Sequence, residues 1–126
     1  MMKKLAILAL VAALLGSYRA HGQQMTEKYI PVGAYPALAG KLTILGTIAA
    51  VDEPAGTITL SAADGDRIFQ ITGGTRIWLD RSLLGQPNMD GALTDVGAGL
   101  KAEVSAMGPE QAGVARWVKV QIPSSR

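Results

Sequence analysis

The spacing of apolar residues changes twice along this chain, and each change marks a different kind of segment. Leu5 to Gly16 is an uncharged apolar run, preceded by Lys3-Lys4 and followed at once by Ser17, Tyr18, Arg19 and His21. A bilayer-spanning helix needs about twenty apolar residues, so this run has the length and flanks of a signal-peptide core. Ala20-His21-Gly22 supplies small residues for cleavage before Gln23. From Gln23 to Gly40, Pro31, Gly33, Pro36 and Gly40 interrupt any helical period and predict an extended or turning arm. Tyr29, Ile30, Val32, Tyr35 and Leu38 give that arm apolar surface to lay against something.

After Gly40 the period becomes two. Lys41–Asp52 reads as a long first strand, with Gly46 placed for a bend or bulge. Gly56–Ala62 alternates cleanly and, across an Asp64-Gly65 turn, predicts a hairpin with Arg67–Thr72. Thr75–Asp80 is a further short strand, Arg81–Gly99 a Gly- and Pro-bearing loop with a helical turn near Leu93–Val96, and Leu100–Met107 and Val114–Ile122 the last two strands. Five or six strands in so short a chain favour closure into a small barrel, which removes exposed edges. The expected organisation is a signal peptide over 1–22, an extended arm over 23–40 and a barrel domain over 41–123.

Composition sharpens this. The chain carries a formal charge of +2, but Lys3, Lys4 and Arg19 belong to the signal segment, and without them the net charge is about −1. The basic character is therefore no footprint for nucleic acid. There is no cysteine, which removes lipoprotein anchoring and leaves the domain to fold on its apolar core. His21 is the only histidine and leaves with the signal. The mature chain thus lacks the groups for Ser-His or Cys-His catalysis and for imidazole or thiolate metal sites. No catalytic residue, cofactor or metal ligand is assigned. The acids Asp52, Glu53, Asp64, Asp66, Asp90 and Asp95 stand beside turn residues, where Asp is an ordinary choice for local hydrogen bonding.

Alternation gives one candidate surface. In the strand around Trp78, Ile77 and Leu79 share a face, leaving Arg76, Trp78 and Asp80 on the other. In the last strand Val114, Arg116, Val118, Val120 and Ile122 share one phase, and Ala115, Trp117, Lys119 and Gln121 the opposite one. If the aliphatic face is the barrel interior, Arg76, Trp78, Asp80, Trp117 and Lys119 point outward. They then either contact a small ligand or a partner protein, or are covered by the arm, whose apolar residues need burial as much as the tryptophans do. Leu83 and Leu84, beside a strand end, make either a ligand-facing lip or a cap on one mouth of the barrel, and capping is the expectation.

Several segments resemble a family of uncharacterised exported bacterial proteins built as OB-like barrels: Gly46–Asp52, Thr57–Leu60, Ile71–Ile77, Asp95–Gly99 and Ala115–Ile122, with Tyr29–Gly33, Ile77–Ser82 and Arg116–Val120 resembling one subset of it. The resemblance implies an all-β, five- to six-stranded OB-like barrel of the periplasm or secreted space. It implies no activity. The reading that follows is a non-enzymatic binding or interaction module of the cell envelope, with an envelope protein or small ligand as partner, no nucleic acid, and no membrane anchor after signal cleavage. A second reading is a copper- or silver-ion carrier, because periplasmic chaperones for those ions are small OB barrels with methionine and tryptophan at the site. Here the comparable stretch, Pro87-Asn88-Met89-Asp90, has a single methionine and no histidine. A third is a carboxylate enzyme acting on cell-wall glycans, for which Asp80 and Asp95 are the acids to test.

Overall fold

The computed structural model describes residues 27–34 and 43–124. The predicted signal segment, the rest of the arm and residues 41–42 of the first predicted strand lie outside the described residues. Seven strands form, in the order β1 Thr43–Asp52, β2 Thr57–Ala62, β3 Gly65–Gln70, β4 Arg76–Asp80, β5 Met89–Asp90, β6 Lys101–Ala106 and β7 Ala115–Gln121. They make one sheet, ordered β3-β2-β1-β6-β7-β4-β5. The sheet curls until its ends meet: the Gln70 N–H donates to the Gly113 carbonyl at 2.7 Å, and Gln70 and Val114 form a parallel bridge. β4 then runs parallel to β7 from Arg76 opposite Trp117 to Asp80 opposite Gln121. β3 and β4 thus act as one long strand broken over 71–75, paired first with β2 and then with β7. The result is an all-β, OB-like barrel. Among the described residues, no helix is long and apolar enough to cross a membrane.

The interior is built from the alternating aliphatics. Ile48, Ile58, Leu60, Phe69, Val104, Val118 and Val120 are all essentially inaccessible to solvent. Gly46 is where β1 passes from β6 to β2, pairing with both Ala102 and Ala62. A Cβ there would lie 2.4 Å from the Ser61 carbonyl oxygen, so close approach of two backbones is what requires glycine. The bulge itself falls further on, between Ile48 and Ala50, where Ala49 and Ala50 are both exposed.

Three local expectations are corrected. The β2–β3 hairpin pairs Ala62 with Gly65, so its loop is Ala63-Asp64, one residue earlier than Asp64-Gly65. Gly65 is the first residue of β3, at φ +126, a value that L side chains rarely adopt. In β7 a register shift opposite Ser105 and Ala106 reverses the phase at its start. Ala115 therefore enters the core and Arg116 faces solvent, where its guanidinium donates to the Met107 carbonyl. Leu83 and Leu84 do not cap the barrel. They sit 49% and 40% exposed on a single 3₁₀ turn whose bonds close on Arg81 and Ser82, and Leu93, Val96 and Leu100 pack on the core instead.

Candidate functional site: a covered tryptophan face

Because strand residues alternate, β4, β6 and β7 turn Trp78, Asp80, Glu103, Ser105, Trp117 and Lys119 away from the core and onto one outer face. Register brings them together: Lys119 lies opposite Trp78 on one side and Glu103 on the other, and Trp117 lies opposite Ser105. The two indoles have ring centroids 5.2 Å apart, tilted by 32°. The Lys119 ammonium sits 4.9 Å from the Trp117 centroid and 6.0 Å from that of Trp78, within cation–π range.

This outward face is buried. Trp78 and Trp117 are each 4% exposed, and Asp80 and Lys119 are fully enclosed. What covers them is the described part of the arm. Residues 27–34 are bent rather than extended: a single helical turn over 27–29 is followed by a β-turn in which the Ala34 N–H donates to the Pro31 carbonyl, with Gly33 at φ +77. Pro31 cannot continue a helix, and glycine accepts the positive φ at the third turn position, so the Tyr29–Gly33 motif encodes this bend.

The bent segment is held by barrel side chains that bind its main chain. The Val32 N–H donates to Asp80 Oδ2 at 2.8 Å and the Gly33 N–H to Glu103 Oε1 at 3.3 Å. Lys119 Nζ donates to the Ile30 carbonyl at 2.7 Å, and Asn88 Nδ2 to the Lys28 carbonyl at 2.9 Å. The Ile30 N–H is taken by the Glu27 carbonyl. Pro31 has no N–H, so every N–H from Ile30 to Ala34 has a partner, as burial against a barrel demands. A peripheral ion pair joins Lys28 and Asp90 at 3.3 Å.

Asp80 and Asn88 each serve two masters. Asp80 Oδ1 accepts the Ser82 N–H while Oδ2 holds the arm, and Asn88 Oδ1 accepts the Arg81 N–H while its amide nitrogen holds the arm. The loop that carries Leu83 and Leu84 is thereby tied to residues 27–34. Burial pushes the Lys119 ammonium below the ordinary lysine pKa, and the carboxylates of Glu103, Glu27 and Asp80 oppose that shift. Among the described residues the buried Ser105 hydroxyl has no hydrogen-bond partner.

Of the five surface residues named from the sequence, Trp78, Asp80, Trp117 and Lys119 converge here, and all four are covered. Arg76 remains exposed and stays outside the cluster. Of the two arrangements left open for this face, the described residues take the one in which the arm covers it. Glu27, Asn88, Glu103 and Ser105 were missed. The alternation of Ala102, Val104 and Ala106 already put Glu103 and Ser105 on the outer phase of β6, and that signal becomes informative once β6 is known to lie beside β7. The turn acids behave as expected: Asp52 Oδ1 accepts the Ala55 N–H, Asp64 pairs with Arg67 at 2.7 Å, and Asp95 Oδ2 accepts the Ala92 N–H. Among the described residues no group of three or more His, Cys, Asp or Glu side chains is arranged to hold a metal ion.

No protein-family model matches the chain, and no curated protein does. Two solved structures of the protein CusF are similar to it. A tryptophan-to-alanine variant from Escherichia coli with Cu(II) aligns at 15% identity and a TM-score of 0.43, over 63% of this chain and 89% of that one. The Ag(I) form aligns at 15% identity and 0.43, over 62% and 93%.

Proposed function

We propose that this protein is a non-enzymatic interaction module of the bacterial cell envelope, a small OB-like barrel that works by holding polypeptide. The observation that carries the reading is the set of four buried or half-buried polar contacts from Asp80, Glu103, Asn88 and Lys119 to main-chain atoms of residues 27–34. A face that binds main chain is suited to recognising a segment of protein. Localisation outside the cytoplasm follows from the signal-like segment over 1–22, and the absence of cysteine is compatible with a module that needs no redox chemistry.

A second reading, a copper- or silver-ion carrier, has one observation in its favour. Met89 is 42% exposed on β5, opposite Leu79 of β4, and an exposed thioether is a soft donor suited to Cu(I) or Ag(I). CusF was solved with Cu(II) and with Ag(I). Titration of the chain from Gln23 with Cu(I) and with Ag(I), followed by tryptophan emission, separates the two. The module leaves the emission unchanged through one equivalent of metal, whereas stoichiometric quenching that Met89→Leu abolishes replaces the module with the carrier.

A further inference from the structure

We infer that the Trp78–Trp117 face is a peptide-binding site whose ligand is a bent segment of the form x-Pro-x-Gly, and that residues 27–34 are its occupant in cis. The inference rests on the reading of the barrel as an interaction module and says what the module binds. Each of the four barrel contacts reaches a backbone atom: two N–H groups go to carboxylates, and two carbonyls go to an ammonium and an amide. Of the segment's side chains, Tyr29 is 49% exposed and Ile30 and Val32 are only half-buried, whereas Glu27 is 6% exposed and its carboxylate acts on Lys119. What the site recognises is therefore the bend with its backbone donors and acceptors, together with an acidic side chain four positions before the proline.

The site is also costly to leave empty. Asp80, Glu103 and Lys119 are at most 3% exposed with the segment in place, and buried charges are tolerated only when they are hydrogen-bonded. The two indoles, tilted by 32° to each other, present apolar surface that would otherwise face water. An unoccupied site of this kind binds a replacement segment, so the cis occupant acts as a competitor that a partner's x-Pro-x-Gly turn must displace. Because the tether gives the cis segment an effective concentration of about millimolar, a partner succeeds when it binds more tightly or is itself held close.

The test cuts the tether without removing the segment. In the chain from Gln23 to Arg126, a flexible insert carrying a protease site is placed between Ala34 and Thr43, and the folded protein is cleaved. The inference expects the released segment to co-elute with the barrel and tryptophan emission to stay blue. It also expects a labelled synthetic peptide of residues 27–34 to exchange into the site with saturation. Methylating the Val32 amide nitrogen of that peptide deletes a hydrogen bond to a carboxylate and should weaken binding by about tenfold or more. Red-shifted emission on cleavage that no concentration of peptide reverses overturns the inference, and so does equal binding of the methylated peptide. Neither result touches the metal titration, so failure of the x-Pro-x-Gly site is told apart from replacement of the interaction module by an ion carrier.

Discussion

The barrel has two outer faces that obey the same alternation and meet opposite fates. On β2 and β3, Thr57, Thr59, Ser61, Ile68 and Gln70 point outward and meet water or one another, with Ile68 65% exposed. On β4, β6 and β7, Trp78, Asp80, Glu103, Trp117 and Lys119 also point outward, yet each is at most 4% exposed. The difference is not in the strands. It lies in a segment of eight residues, 27–34, that crosses one face and not the other. Outward on a strand means away from the barrel core, and whether it also means solvated is decided by chain that is remote in sequence.

That contrast can be broken by substitution. Trp117→Ala should have the largest effect, a loss of about 3–5 kcal/mol in urea denaturation, because it empties a buried aromatic site and removes both the Trp78 stack and the surface beneath Lys119. Asp80→Ala comes next. It leaves the half-buried Val32 N–H and the Ser82 N–H without their acceptor, at about 1–3 kcal/mol in all, and should shift tryptophan emission to the red as the segment loosens. Lys28→Ala removes an ion pair whose acidic partner is 75% exposed, so no more than about 1 kcal/mol and no change in emission is expected. Ile68→Thr, on the open face, should move the denaturation midpoint by less than about 0.5 kcal/mol. Should Ile68→Thr cost as much as Asp80→Ala, the two faces are not different in kind.

Much of the fold was legible because strand alternation and turn chemistry are local. The β2–β3 hairpin, the phase of Ile77 and Leu79 against Trp78 and Asp80, and the helical turn near Leu93 are all written within a few residues of themselves. The register errors have the same origin. A bulge is set by the partner strand, so the reversal at Ala115 and Arg116 could not be read from the segment 114–122 alone. Leu83 and Leu84 look like core by hydrophobicity, and only the closure of their turn on Arg81 and Ser82 turns them outward.

The site was half legible for a related reason. Trp78, Asp80, Trp117 and Lys119 announced themselves as polar and aromatic residues on the wrong phase of aliphatic strands. Their partners did not: Val32 and Asp80 are 48 positions apart, Lys28 and Asn88 60, Gly33 and Glu103 70, and Ile30 and Lys119 89. By itself the sequence determined which residues alternate, where the chain turns to within a residue, and that Pro31 and Gly33 bar a regular helix from the arm, since each follows from short-range sterics and hydrogen bonding. Only the tertiary structure decided that the bend sits on the tryptophans, because burying a charged lysine and two carboxylates requires backbone donors and acceptors that nothing nearby in the chain supplies.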